Sequence, residues 1–556
     1  MDGGVNLKHQ LLTLIGLLLL LTSCGVKKSL NHQPKLEGYT NTIPKRIQLN
    51  DSTFTVGKNQ LRKNQHGLWE LYIKGDPLER GLVNGSLTKE LLQRQENIFF
   101  SKITEIVPSE FKQTLLRKFL AWYNRKLFLH IDDEYKTEIY GVSRFAGDDY
   151  DYVADDYLRS LYLHGAHDIG HALKDLMLVG CSSFAVWDDK SSDGGLLIAR
   201  NFDFYAGDDF AKEKIVAFVA PDKGHKFMSV TWGGMIGVVS GMNDQGLTVT
   251  INAGKSDIPW VAKTPISLLT REILQYASNI EEAIAIAKKR EVFVSEAILV
   301  GSAKDKKAVT IEVSPNNFGV YRVENSSQLV CSNHFQSEAY ADDKNNILHK
   351  AESHSAYRYE RMEELLTENE KIDPKKAVTI LRNTKGLEDK NIGYGNEKAL
   401  NQLLAHHGIV FQPEKLKVWV STNPYQLGEF VSYDLNTVFQ KFENANETIS
   451  EEQLTIPQDN FVQTQAYKNY ERYRVLRREL LAIIDAEGKA SPELLDELKT
   501  TNPDYWEGYY LIGKYYYEKG YDASAFKEFK MALTKEITTV PDRERIEKHI
   551  KKIERD

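Results

Sequence analysis

Three cysteines, Cys24, Cys181 and Cys331, stand in a chain of 556 residues. That number gives no disulfide framework for a protein of this size. Cys181 lies among glycine, serine and strand-forming residues in GCSSFAVW, where a lone thiol is a candidate nucleophile. Pairing with Cys331 and simple burial in a core are the competing readings, and Cys331 itself reads as a structural thiol. A second cluster is His164, His167 and His171 in LHGAHDIGH. Spaced i, i+3 and i+7, these imidazoles share one helical face and could hold a metal ion. No fourth ligand stands out, so packing by hydrogen bonds is favoured and no metal or other cofactor is expected. Glycine-rich phosphate loops are absent, which leaves nucleotide chemistry without support.

The signature around Cys181 is longer than one residue. A Gly180-Cys181 junction leads into a strand, Arg200-Asn201-Phe202-Asp203-Phe204 follows, and a Gly-Leu strand, GLTVTIN, ends in Asn252. Over about residues 68–440 the sequence resembles the N-terminal-nucleophile (Ntn) hydrolases. The resemblance is to the branch of choloylglycine hydrolases, penicillin V acylases and N-acylethanolamine acid amidases. It is strongest, in the long leading segment, to the acyltransferases that modify 6-aminopenicillanic acid.

The resemblance implies self-cleavage. Cys181 would attack the Gly180 carbonyl, shift the acyl group from nitrogen to sulfur, and be freed by water with its own α-amino group. That amine, with an ordinary pKa of about 7.7–8.0, can take the thiol proton and later return it to a leaving amine without a histidine. By the same resemblance Arg200 favours the thiolate, Asp203 orients the new ammonium group, and Asn252 donates to the oxyanion. Asn333, in VCSNHF, and Arg358, in SAYRYER, match a further asparagine and arginine of the family. An Arg200–Asp203 salt bridge is less natural, because residues three apart on a strand point to opposite faces unless the strand bends.

The elements that must position these groups follow from periodicity. An apolar run from Leu11 to Leu21 ending in Leu-Thr-Ser-Cys24 resembles a bacterial lipobox, predicting a signal peptide over 1–23 and lipidation of Cys24. The expected location is the cell envelope, with a lipid anchor as the membrane partner. Residues 24–60 read as a polar tether. A first strand near Leu68–Ile73 and then apolar residues at threes and fours predict a helical leading segment over 61–180. From Cys181 the period changes to short alternating runs between Gly, Asp and Asn turns. Residues 181–458 therefore read as strand block, helix pair at Pro265–Ala287, strand block, and helix near Ala356–Leu366 with late strands. The fold class predicted is α+β, and the family implies a four-layer αββα sandwich. Residues 459–556 form a helical tail in which Tyr510 to Leu533 resembles one tetratricopeptide repeat. Packing on the catalytic body is favoured over binding a protein partner, since one repeat cannot bury its own face.

Lysine and arginine, 71 in all, nearly balance 78 acidic residues, and no basic stripe supports nucleic-acid binding. The expected substrate is a small N-acyl amide, including bile-salt or β-lactam side-chain conjugates. The apolar set close to the catalytic strands in sequence, Phe202, Phe204, Tyr205, Trp232, Met235, Ile236 and Trp260, is the candidate acyl-binding wall. Water or an amine could resolve the thioester, so hydrolysis and acyl transfer both remain open. A catalytically silent lipoprotein is the reading from another class.

Overall fold

The computed structural model describes residues 25–165, 168, 178–257, 259–441 and 448–555. The predicted signal peptide, the lipidation site Cys24, and two of the clustered histidines, His167 and His171, lie outside the described residues. Among the described residues no helix is long and apolar enough to cross a membrane.

Two sheets carry the body. The larger has eleven strands, entering through Ile47–Asn50, Thr53–Val56, Asn59–Lys63 and Trp69–Gly75. It continues through Ile215–Pro221, Phe227–Thr231, Ser240–Asn243, Leu247–Ala253, Glu296–Ser302, Lys307–Val313 and Phe318–Tyr321. The smaller has six strands in the spatial order Gln328–Cys331, Ser182–Val186, Leu197–Phe202, His407–Gln412, Lys417–Ser421 and Phe430–Asp434. All strand pairings in the two sheets are antiparallel except that of Trp69–Gly75 with Ile215–Pro221.

Period-two alternation assigns each strand residue to a layer. In Glu296–Ser302, Ile298 and Val300 pack outward with Ile273 and Ala283 of the helix pair Ile266–Tyr276 and Ile280–Lys289, while Ala297 and Leu299 face the second sheet. In Ser182–Val186, Phe184 and Val186 meet Met362 and Leu366 of helix Ser355–Glu368, together with Val378 and Leu381 of Pro374–Leu381; Ala185 points inward. The order of layers is therefore helix, sheet, sheet, helix. This is the α+β, four-layer αββα sandwich expected from the sequence. Each fully buried Leu, Ile, Val or Phe contributes about 1.5–3 kcal/mol, so the layers hold the facing strands in fixed register.

Helices Pro77–Leu87, Lys89–Ile106, Glu110–Tyr123, Asp133–Ser143 and Asp156–His164 precede the strand that follows Cys181; the last four share a core with Ile236, Leu268 and Phe293, while Val83 and Leu87 of the first pack into the core of the large sheet. Gly81 lets two of them touch, since a Cβ there would fall 2.1 Å from the Glu138 carbonyl oxygen. One prediction is corrected. The polar stretch 24–60 is not wholly a tether, because three strands occupy Ile47–Lys63. They extend the large sheet at its edge, where Ile47–Asn50 is exposed along its whole length and gives little apolar signal.

The tail helices Gln465–Asp485, Pro492–Thr501, Trp506–Glu518, Asp522–Leu533 and Val540–Ile553 bury their apolar faces in a core of their own. They also pack on the body. Asn502 accepts from the Tyr394 backbone N–H at 3.1 Å and donates to its carbonyl at 2.8 Å, and Glu536 pairs with Lys390 and Lys398. Gly393 has φ +83°, and a Cβ there would lie 2.4 Å from the Tyr505 backbone.

Candidate active site

Cys181 sits immediately before strand Ser182–Val186, whose neighbours bring Arg200 opposite Ser183 on one side and Cys331 opposite Ser183 on the other. Alternation turns Arg200 toward the large sheet, away from the helix-facing Leu197 and Ala199. There its guanidinium donates to the Val239 carbonyl at 2.7 Å, to Ser240 Oγ and to the Ile251 carbonyl, and meets Cys181 Sγ at 3.5 Å. The thiol is fully buried. Burial pushes its pKa up, and Arg200 acts against that rise without overcoming it. In the intact chain the sulfur is thus a thiol, whatever thiolate character Arg200 lends later.

Asp203 follows the last residue of strand Leu197–Phe202 and precedes the short strand Phe204–Tyr205. The break frees Arg200 and Asp203 from strict alternation. The Asp203 backbone carbonyl accepts from Gly180 N–H at 3.1 Å. Its carboxyl is fully buried and, among the described residues, neither oxygen has a hydrogen-bond partner. Burial lifts its pKa to about 7, with Arg358 and Arg200 pulling the other way.

Asn252 comes from the opposite sheet. Its neighbour Ile251 packs outward, so Asn252 points between the sheets, accepting from Ser183 Oγ at 2.8 Å and donating to the Cys331 carbonyl at 3.0 Å. Arg358 lies one turn before the inward-facing Met362 of its helix and is carried to the same end of the small sheet. It donates to the Cys181 carbonyl at 2.5 Å, Ser182 Oγ at 2.9 Å and Asn333 Oδ1 at 2.6 Å. Asn333 in turn donates to the Ala253 carbonyl at 2.8 Å. Six residues named from sequence, Cys181, Arg200, Asp203, Asn252, Asn333 and Arg358, thus converge on one buried spot. Cys331 is free, buried between the sheets, and its thiol is pushed far up by burial.

The apolar set divides. Phe202 stacks on Phe204, Phe204 on Trp232, and Met235 joins the same core. Tyr205 turns away to donate to Asp208 at 2.6 Å beside the tail's Arg474. Ile236 packs beneath the leading helices, and its N–H donates to His164 Nε2 at 3.0 Å. Trp260 is 84% exposed and is not brought to the others. Its loop is pinned by the Ala262 N–H on the Tyr123 carbonyl, leaving the ring in solvent. His164 places Nδ1 against the Ser160 carbonyl at 2.7 Å, so both ring nitrogens are engaged within the protein.

Sequence reasoning missed a buried polar layer behind Arg200. Ser240 Oγ, which receives Arg200, contacts His407 Nε2 at 2.9 Å, and His407 Nδ1 contacts His406 Nδ1 at 2.9 Å. Burial holds both imidazoles well below their ordinary pKa, hence neutral. The adjacent pair in LLAHHGIVF, at the start of an apolar strand, was the available signal. Gln402 was also missed, and it donates to the Gly180 carbonyl at 2.8 Å.

A buried thiol at a strand start, with arginine, aspartate and asparagine from two facing sheets, is an arrangement suited to an enzyme acting on amides, by hydrolysis or acyl transfer. The pattern of the acyl-coenzyme A:6-aminopenicillanic acid acyl-transferase family matches residues 189–424 of the chain. That range takes in Arg200, Asp203, Asn252, Asn333 and Arg358 and begins after Cys181. An uncharacterized protein of Archaeoglobus fulgidus is 26% identical over 413 residues, 67% of each chain. Protein dcd1B of Dictyostelium discoideum is 23% identical over 270 residues, 44% of this chain and 50% of that protein. Among solved structures, a Caenorhabditis elegans N-acylethanolamine-hydrolyzing acid amidase ortholog aligns with 20% identity and a TM-score of 0.31, over 42% of this chain and 93% of its own. A mutant of the conjugated bile acid hydrolase of Clostridium perfringens aligns with 16% identity and a TM-score of 0.32, over 49% of this chain and 96% of its own.

Proposed function

We propose that this protein is a self-cleaving cysteine amidohydrolase that forms a thioester at Cys181. The observation that carries the reading is Asp203. A fully buried carboxyl with no hydrogen bond to either oxygen is costly and rare. Breaking the adjacent Gly180–Cys181 peptide would create an α-ammonium group beside it, the partner this carboxylate lacks. The freed amine then takes the Cys181 proton, Arg200 stabilises the thiolate, and the sulfur adds to the substrate carbonyl. Asn252 is placed to donate to the resulting oxyanion once its side chain turns from the Cys331 carbonyl. Arg358, braced by Asn333, holds the Cys181 carbonyl in place. The amine returns the proton to the leaving group, and water releases the acid.

The acyl group would lie against Phe204, Trp232 and Met235, near a small cavity that Leu92, Phe99 and Leu163 complete beneath the leading helices. N-acyl amides with an apolar acyl chain and a small polar amine, such as acyl amino acids, acylethanolamines or bile-salt and phenylacetyl conjugates, are the class that fits. The matched family is named for acyl transfer, so an amine in place of water as acceptor is the second reading. Lipidation at Cys24 would hold the enzyme at the bacterial cell envelope, close to membrane-partitioned amides.

The test is the intact mass of purified protein under denaturing conditions. Wild type should give two chains, the second beginning at Cys181, and Cys181→Ala should give one. An active wild-type protein in which Cys181 stays internal would overturn the mechanism, since the base would not exist.

A further inference from the structure

The peptide groups on both sides of the Gly180–Cys181 bond are gripped by side chains. Arg358 holds the Cys181 carbonyl, and Gln402 Nε2 donates to the Gly180 carbonyl at 2.8 Å. The Gly180 N–H is fixed on the Asp203 carbonyl at 3.1 Å. Gln402 is 2% exposed, and its loop is pinned from several sides. Asn201 donates to the Leu381 and Leu400 carbonyls at 2.8 and 2.9 Å, Leu403 N–H donates to Asn401 Oδ1, and His406 N–H donates to the Phe202 carbonyl. Gly180 leaves the space this amide uses, because a Cβ there would fall 2.4 Å from Nε2 and 2.8 Å from Oε1 of Gln402. The asparagines are engaged elsewhere: Asn252 donates to the Cys331 carbonyl and Asn333 to that of Ala253.

We infer that Gln402 is the oxyanion donor of self-cleavage, a catalytic group for maturation distinct from Asn252, which serves turnover; the inference rests on the self-cleavage proposed above. Cys181 Sγ forms a bond to the Gly180 carbonyl carbon as the thiol loses its proton. The carbonyl π pair moves onto oxygen, where the Gln402 N–H receives it. Collapse of this adduct breaks the Gly180–Cys181 C–N bond. The nitrogen takes up the proton that left sulfur and becomes the α-amine, and Gly180 remains as a thioester. Water then adds to the thioester and releases the Gly180 carboxylate and the free thiol. The donor is preorganised on the ground-state carbonyl and buried, where such hydrogen bonds act most strongly on developing charge.

The experiment follows chain cleavage by intact mass after synthesis of the full-length protein, for wild type, Gln402→Leu, Gln402→Glu, Gly180→Ala and the Gln402→Leu/Gly180→Ala double variant. Loss of the donor should slow cleavage by about 10²–10³ in Gln402→Leu. Gln402→Glu should be at least as slow, because a carboxylate repels the oxyanion. Gly180→Ala should slow it too by displacing the same amide, and the double variant should be no slower than the slower single, the non-additivity of two changes to one contact. Hydroxylamine, which cleaves thioesters, should not restore the rate, since the block precedes thioester formation. Near-ultraviolet circular dichroism checks folding; if Gln402→Leu does not fold, Gly180→Ala and Gln402→Glu decide. Wild-type rates in the folded Gln402 variants, or rescue by hydroxylamine, would overturn the role of Gln402 while leaving Cys181 cleavage standing. A wild-type chain that stays intact would instead defeat the self-cleavage reading itself.

Discussion

Asp203 offers a prediction in which the intact and cleaved chains respond with opposite signs. In the intact chain burial raises its carboxyl from an ordinary 3.8 to about 7. The folded state therefore binds a proton more tightly than the unfolded state, and folding is disfavoured wherever the unfolded carboxyl is ionised. The cost is absent below about pH 4, grows between pH 4 and 7, and is full above pH 7. A difference of about three pK units corresponds to a cost on the order of 4 kcal/mol. The assay compares Cys181→Ala, which cannot cleave, with Cys181→Ala/Asp203→Asn by urea denaturation from pH 4 to pH 8. The asparagine should be nearly neutral at pH 4 and stabilising by up to about 4 kcal/mol at pH 8. In a wild-type background Asp203→Asn should remove the ammonium partner and cost activity, even though it relieves the precursor. A stability difference that does not change with pH, or an asparagine that destabilises the uncleavable chain at pH 8, would refute the account of Asp203 as an unpartnered buried carboxyl.

Three further outcomes are expected. Asn252→Ala should lower kcat by about 10²–10³ with a smaller change in KM, measured on protein confirmed by mass to be cleaved. Arg358→Met should leave the Cys181 carbonyl and the Ser182 hydroxyl without this donor and the Asn333 amide oxygen unpaired, losing about 1–3 kcal/mol per orphaned buried group in thermal unfolding. A series of acyl amides sharing one amine should rise in kcat/KM with acyl length by up to about 0.8 kcal/mol per buried methylene, then level. Preference for acetyl would remove the apolar wall while leaving the Cys181 chemistry intact.

The legible part of the fold was the part written in local period. The switch from threes and fours to twos at Cys181, the helix pair after Pro265 and the strands from Glu296 to Cys331 each bury one face, and burial is what a period records. Of the strands at Ile47–Lys63, Ile47–Asn50 is exposed along its length and records no burial, and Thr53–Val56 and Asn59–Lys63 are too short for their buried Phe54, Val56 and Leu61 to set a period. The parallel union of Trp69–Gly75 with Ile215–Pro221 escaped because no local pattern encodes a partner across the intervening leading helices. The site divides in the same way. Arg200, Asp203 and Asn252 stood in a recognisable string, and alternation alone aims Arg200 and Asn252 into the gap between the sheets. Gln402 had no such string. Its place depends on a loop that Asn201 pins from below, and on a glycine whose missing side chain leaves room for an amide. Trp260 erred in the other direction, since nearness in sequence to a catalytic strand says nothing of which way a loop turns its ring.

The intact site is built around charges it does not yet hold. Burial keeps the Cys181 thiol protonated and raises the Asp203 carboxyl toward neutrality, while Arg200 spends its donors on backbone carbonyls and Ser240. The two histidines behind it are neutral as well. Cleavage as proposed would add one cation, the α-ammonium, at a point where one buried carboxyl has no donor. That single charge would draw Asp203 back down into the ionised range and supply the base for Cys181. On this argument the order of events is imposed by electrostatics. The site cannot hold its working charges until the peptide is cut, so a chain kept intact should be inert toward amides at any pH, and a cleaved one should gain activity as the new amine titrates.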